Sequence, residues 1–314
     1  MSRRAVEWPT LVVAAAIAGG MAAILLWHRH VPTPLLLVIL AVLGAWYNSL
    51  QHEVVHGHPT RWPAVNTALA IVPLGLVIPF GAYREVHLLH HRTPGLTDPD
   101  ADPESFYLSA DTWSRLGPIR RRGVTVLRTL AGRMLFGPPI VAIRWWSGSA
   151  SGGLTQRAAG RLVAHAGGVA SVLVAVRMAG LPMWVYVLGV TWGGGSLSLL
   201  RSFAEHRFVD GANRSAMVRS GRFFSLLFLN NNLHTAHHAR PRLAWYSLPA
   251  ASERLGSDRI AAGGAGLYSG YGEIARRYLL RPFDEPVGPG RTQPITVPEV
   301  ADGCRRREKA PRLI

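Results

Sequence analysis

Thr10 to Trp27 reads TLVVAAAIAGGMAAILLW, eighteen residues without a charge. As a helix it rises about 27 Å, close to the ~30 Å of a bilayer's hydrocarbon core. In lipid every backbone polar group must find its partner inside the protein, so a run of this length and composition is confined to a spanning helix. A second run, Pro34 to Leu50, follows at once, so the first is read as a span and not as a cleaved leader, although Ser2-Arg3-Arg4 precede it. Two further runs, about Leu162 to Ala179 and about Pro182 to Phe203, are joined by Gly180-Leu181-Pro182. The fold class expected is an all-α integral membrane protein with about four transmembrane helices in two hairpins. It occupies residues 1–280, and a basic, proline-rich tail follows over residues 281–314.

Two other apolar stretches differ. Ala64 to Phe80 contains Pro73 and Pro79, each of which removes a helix hydrogen bond. His52 and His56 precede it and His87, His90 and His91 follow it. If these histidines share one site the stretch cannot cross, so it is read as re-entrant or interfacial. Gly123 to Trp146 is broken by Arg128, Arg133 and Arg144 and is read as an in-plane amphipathic segment.

Only 17% of residues are charged, below the usual soluble-domain share, yet the net charge is +16. Four spans put both termini on one side, with Arg3, Arg4, Arg61, Arg84, Arg92, Arg115, Arg120, Arg121, Arg122 and Arg201. The other side keeps His28-Arg29-His30 and one tight turn. The positive-inside rule makes the arginine-rich face cytoplasmic. Arginines beside membrane segments suit anionic lipid headgroups, so membrane lipids and not nucleic acid are the expected partners of this charge. A single cysteine, Cys304, excludes an intrachain disulfide, a cysteine-based zinc site and an iron–sulfur cluster.

The chain has 13 histidines, and nine of them are patterned. His52-Glu53-Val54-Val55-His56 ends the second span. His87-Leu88-Leu89-His90-His91 and His234-Thr235-Ala236-His237-His238 are two H-x-x-H-H boxes, and His206 lies in Glu205-His206-Arg207. Positions i, i+3 and i+4 share one helix face, so each box aims its imidazoles at one point. Composition alone predicts roughly 0.02 such H-x-x-H-H boxes in a chain like this. His28, His30, His58 and His165 lack such partners and are read as ordinary side chains. Nine imidazoles overfill one ion and suit two, each with four or five ligands; imidazole accepts zinc, copper, iron and nickel. The bland alternative for the nine is pH sensing or a basic face. His52 to His56 is also H-E-x-x-H, the zinc-protease motif with the glutamate as base, a reading that leaves the other boxes without work. A histidine-rich metal carrier is the non-enzymatic alternative; it predicts histidines within or across the spans.

From about Asn48 to His238 the arrangement resembles the membrane fatty acid desaturase and hydroxylase superfamily: H-x-x-x-H after the second span, H-x-x-H-H some thirty residues later, a helical hairpin, a lone histidine, then H-x-x-H-H. Leu229-Asn230-Asn231-Asn232-Leu233-His234 and Leu96-Thr97-Asp98-Pro99-Asp100 look most like bacterial members, which implies the bacterial inner membrane. The resemblance implies a non-haem di-iron centre held by His52, His56, His87, His90, His91, His206, His234, His237 and His238. It implies O2 as co-substrate and attack on an unactivated C–H bond of a lipid-like acyl or alkyl chain. Desaturation of an acyl lipid is the leading outcome; hydroxylation of alkyl, carotenoid or small amphiphilic substrates is the alternative on the same site. Glu205-His206 is similar to the E-H element of alkane hydroxylases, but Ser202 stands where those enzymes carry asparagine. No haem, flavin or iron–sulfur signature is present, so a separate electron donor such as a ferredoxin or rubredoxin is implied, steered by the basic face.

Metal-bound histidine usually donates its other N–H to a carboxylate or carbonyl, and Glu53 and Glu205 are the candidates for that role. Asp98, Asp100 and Asp102 read first as Asp-Pro turn residues, and Asn230, Asn231 and Asn232 as helix caps. Trp192-Gly193-Gly194-Gly195 reads as close helix packing in lipid.

Overall fold

The computed structural model describes residues 6–151, 155–211 and 213–288. Ser2-Arg3-Arg4, Cys304 and the tail beyond residue 288 lie outside them. Four described helices are long and apolar enough to cross a membrane: Trp8–His30, Thr33–Val55, Ala158–Ala179 and Met183–Phe203. These are the first to fourth spans.

The first two spans form a hairpin through a 3₁₀ turn at His28–His30 and Pro32, which starts the second helix. Thr10, Val13, Ile17, Met21 and Ile24 are the buried residues of the first span. Their spacing of three or four makes one stripe, while Val12 and Leu26 on other faces are exposed. The stripe meets Leu36, Leu40 and Leu43 at one end of the second span and Tyr47 and Leu50 at the other.

The flank of the second span carries Gly44, and here its backbone touches that of the fourth span. A Cβ on Gly44 would lie 2.8 Å from the carbonyl oxygen of Val190, and one on Gly194 would lie 3.0 Å from the backbone of Gly44. Gly193 and Gly189 are as close to Ala41 and Leu40. The glycine run therefore packs helices, as its composition predicts. The fourth span winds one π-helical stretch, Val187–Gly193, at this contact. Gly180, at φ 76°, ends the third span in a left-handed cap and Pro182 opens the fourth.

The stretch from Ala64 to Phe80 is broken as its prolines predict. Its helix runs only Pro63–Ala70, and the non-helical carbonyls beyond are met by side chains. Gln51 donates to Ala70 O, Tyr47 to Val72 O, Tyr186 to Leu74 O and His165 to Leu76 O, at 2.7 to 3.2 Å. Irregular backbone among spans persists only when bonded this way. The lone His165 thus has a structural partner. The chain then enters the helix Phe80–Arg92, back beside the end of the second span.

The segment from Gly123 to Trp146 departs from expectation. Helices Pro118–Leu127 and Leu130–Ser151 meet at a sharp bend, their axes 107° apart. The longer one packs against the fourth span, where Ser196 Oγ donates to Met134 O at 2.6 Å. Arg128 and Arg133 turn inward and do not form an outer polar face. Arg128 pairs with Asp284 and lies 4.3 Å from the Tyr107 ring; Arg133 lies 3.6 Å from the Phe106 ring and donates to Leu127 O. An ion pair and aromatic faces make burial tolerable for groups that periodicity alone assigns to the headgroups. Asp284 and the buried Phe283 come from the first residues of the segment read as tail, and Phe283 packs with Phe203 and Tyr278.

Candidate metal centre

Each histidine box sits where a helix face aims it inward. His52 and His56 are one turn apart at the end of the second span; His87, His90 and His91 are on Phe80–Arg92; His234, His237 and His238 are on the short helix His234–Ala239. His206 follows the fourth span. The structure brings all nine together at one end of the spans, in two adjoining groups. His52, His56, His87, His91 and His237 form one, and His90, His206, His234 and His238 the other. In each, the ligand atoms lie within 4.8 Å of one another. The groups touch where the His91 and His238 rings stack at 4.3 Å. His28, His30, His58 and His165 stay out of both. His58 is buried against Glu7, Nδ1 to Oε1 2.6 Å.

The ring nitrogens show what the groups are built for. His206 Nδ1 donates to the Arg214 carbonyl and His234 Nδ1 to Asn231 Oδ1. Both Nε2 atoms are then lone pairs, yet they face each other at 2.9 Å. In the other group His87 Nδ1 donates to Glu104 at 3.0 Å, so its Nε2 is also a lone pair, with His56 and His91 Nε2 each 3.1 Å away. His52 Nε2 is buried with no hydrogen-bond partner among the described residues. Converging lone pairs repel unless a cation lies among them. Protons fill that role poorly. Burial, then neighbouring imidazoles, pull His56 and His91 down to about 2; burial and His90 pull His206 to about 3. His90 goes the other way: burial opposes its charge, but Glu104 and Asp102 outweigh it. The donor set fits metal ions, and His52, His56, His87, His91 and His237 would hold one while the other four hold the second.

The residues that fix the rings are only partly those expected. Asp102 Oδ1 accepts His90 Nδ1 at 2.7 Å, and Asp102 is itself held by the backbone N–H groups of Thr97 and Glu104. Asp102 is therefore more than a turn residue, whereas Asp98 caps the turn as read, accepting Asp100 and Ala101 N–H. Glu104 and Asn231 join it as ring partners. Asn231 caps nothing: the helix begins after Leu233 with no side-chain cap bond. It links His234 to Glu205, whose carboxylate also lies 2.9 Å from Arg201. Burial raises the Glu205 carboxyl to about 7 despite Arg201. Glu205 thus supports His234 through Asn231, and its Oε1 also lies 3.6 Å from His234 Nδ1. Glu53 does not meet the rings in this way; its carboxylate accepts the backbone N–H of Trp245 at 3.2 Å. A base role in H-E-x-x-H chemistry has no geometry to support it. Ser202 Oγ bonds back to Leu199 O. The acid-rich stretch Asp98 to Glu104 beside the second box is the sequence signal for Asp102 and Glu104.

No curated protein matches the sequence. The sequence model of fatty acid desaturases matches residues 25–267, a span that includes all nine histidines, the end of the first membrane helix and the whole of the second, third and fourth. The chain belongs to the fatty acid desaturase family.

Proposed function

We propose that the chain is a membrane-bound, O2-dependent desaturase that places a double bond in the acyl chain of a lipid, using two non-haem irons. The observation that carries this reading is the division of nine imidazoles into groups of five and four at one end of the spans, in a chain of this family. A metal carrier is disfavoured because the nine histidines gather at one end and none line a path across.

Iron in both groups would supply reduction of dioxygen and removal of hydrogen from an unactivated C–H bond. In the balance, two hydrogens leave adjacent methylenes, two electrons and two protons arrive from outside, and dioxygen leaves as two waters. The protein's own work is positional. Asp102, Glu104, Asn231 and the Arg214 carbonyl keep Nδ1 protonated and Nε2 open. The buried rings limit water around the reacting carbon. The chain carries no electron-transfer cofactor motif of its own, so a small acidic carrier such as a ferredoxin or rubredoxin supplies the electrons. The arginine-rich, histidine-bearing face is cytoplasmic on this reading, with both termini, and the membrane is the bacterial inner membrane.

The test is mass spectrometry of lipids from cells expressing the protein beside its His237→Ala variant, with metal analysis of both purified proteins. A loss of two hydrogens that depends on His237, with about two irons per chain, supports the proposal. A gain of one oxygen assigns hydroxylation, and one zinc without iron rejects the proposal.

A further inference from the structure

A cavity of about 800 Å³ opens beside the five-histidine group, within the size range of small-molecule sites. Val54 and Gly57, which line it, bracket His56. Arg84, also on its wall, precedes His87 by three residues of one helix, about 4.5 Å along the axis. Val54, Ile71 and Phe80 give it apolar walls.

Its polar side chains divide sharply. Asn66 and Thr60 are committed to each other and to the Gly57 and Thr60 backbone. His165 is committed to Leu76 O. What remains for a ligand is the Thr67 hydroxyl and, as charge, guanidinium. Arg161, from the start of the third span, is held by Glu85 at 2.8 Å and lies against Gly81, where a Cβ would come within 3.1 Å of its Cδ. Among the described residues Arg84 and Arg61 have no carboxylate partner; Arg61 stacks 4.6 Å from the Trp62 ring. Three elements thus converge three cations on an apolar chamber at the histidine-bearing end of the spans. Two of those charges are uncompensated among the described residues.

We propose that this cavity anchors an acyl substrate by an anionic oxygen headgroup, a carboxylate or a phosphodiester, with Arg61 and Arg84 as its charge partners and Arg161 as the fixed third. The proposal rests on the desaturase reading and narrows its substrate class: neutral alkanes, alcohols and carotenoids leave the arginines unpaired. Guanidinium recognises both anions through paired N–H groups.

Equilibrium binding to the detergent-solubilised holoprotein tests it without turnover. The probes are palmitate and dipalmitoyl phosphatidylglycerol, each beside a neutral counterpart, hexadecanol and dipalmitoylglycerol. Wild type should prefer the anionic member of at least one pair by about tenfold or more, and which pair responds identifies carboxylate or phosphate. Arg61→Gln with Arg84→Gln should abolish the preference while neutral binding and iron content stay unchanged; the corresponding lysine pair should retain much of it. Equal affinity within both pairs in wild type, or an unchanged preference in the glutamine variant, overturns the anchor. Iron and lipid product are measured on the same preparations. Product with unselective binding sinks the anchor alone. Arginine-dependent binding in a protein without iron sinks the desaturase reading alone.

Discussion

Asp102→Asn probes how the four-histidine group is held. Asp102 accepts three N–H groups: His90 Nδ1 at 2.7 Å and Glu104 N at 2.9 Å on Oδ1, and Thr97 N at 2.8 Å on Oδ2. Asparagine keeps the shape but replaces one oxygen with a donor. If its oxygen faces His90, its amide opposes the Thr97 N–H; if it flips, its amide opposes His90 and favours the tautomer with a proton on Nε2. Either way a buried donor faces a donor, a cost of about 1–3 kcal/mol. Loss of such a partner usually weakens metal affinity about 10- to 100-fold, or about 1.4–2.7 kcal/mol. The assay is a chelator titration of iron-loaded protein with iron counted per chain. The variant should fall to one iron, then none, with its first loss at a chelator concentration that leaves wild type with two. Both irons retained in parallel with wild type would show that Asp102 does not set the His90 ring, and the tautomer argument would fail with it.

Glu53→Gln should keep both irons and lipid product, because its carboxylate serves the Trp245 backbone and not the rings; loss of metal in that variant restores a role in the H-E-x-x-H motif. Tyr47→Phe and Tyr186→Phe each remove a donor to a broken-segment carbonyl, at 2.7 and 2.9 Å. Each should lower stability by about 0.6–1.7 kcal/mol and raise hydrogen exchange locally over residues 71–79, and unchanged exchange there contradicts the re-entrant account. Gly194→Val places a branched side chain where Cβ alone would meet the Gly44 backbone at 3.0 Å. It should cost at least the ~1–3 kcal/mol of overpacking, read as a lower thermal midpoint in detergent, and an unchanged midpoint removes the close-contact argument.

The spans were legible because hydrocarbon leaves little choice. An uncharged run of bilayer length must be helical, and Gly180-Leu181-Pro182 is too short to do anything but turn it back. The broken stretch after the first box was legible for a subtler reason: histidines before and after it belong together only if it fails to cross. The helices around Arg128 and Arg133 were misread because periodicity counts arginine as polar surface. Whether a guanidinium is buried depends on what it meets, and Asp284 and Phe106 lie far away in the chain or come from another loop.

The same divide runs through the metal centre. Which histidines converge is a local property: spacing of three and four on a helix aims Nε2 atoms at a common point before any tertiary contact exists. Which proton each ring carries is not local. Asp102 lies twelve residues from His90, Glu104 seventeen from His87, and the Arg214 carbonyl eight from His206. Those partners are delivered by loops with no period of their own. Proximity in sequence therefore points to Glu53, the acid nearest the first box, which sits one residue from His52 and so projects off the ligand face of that helix. On a helix the residue adjacent to a ligand points about 100° away from it and does not face its ring. Partners for inward-facing histidines are better sought in the acid-rich turn that follows the helix, where the chain is free to fold back over the rings.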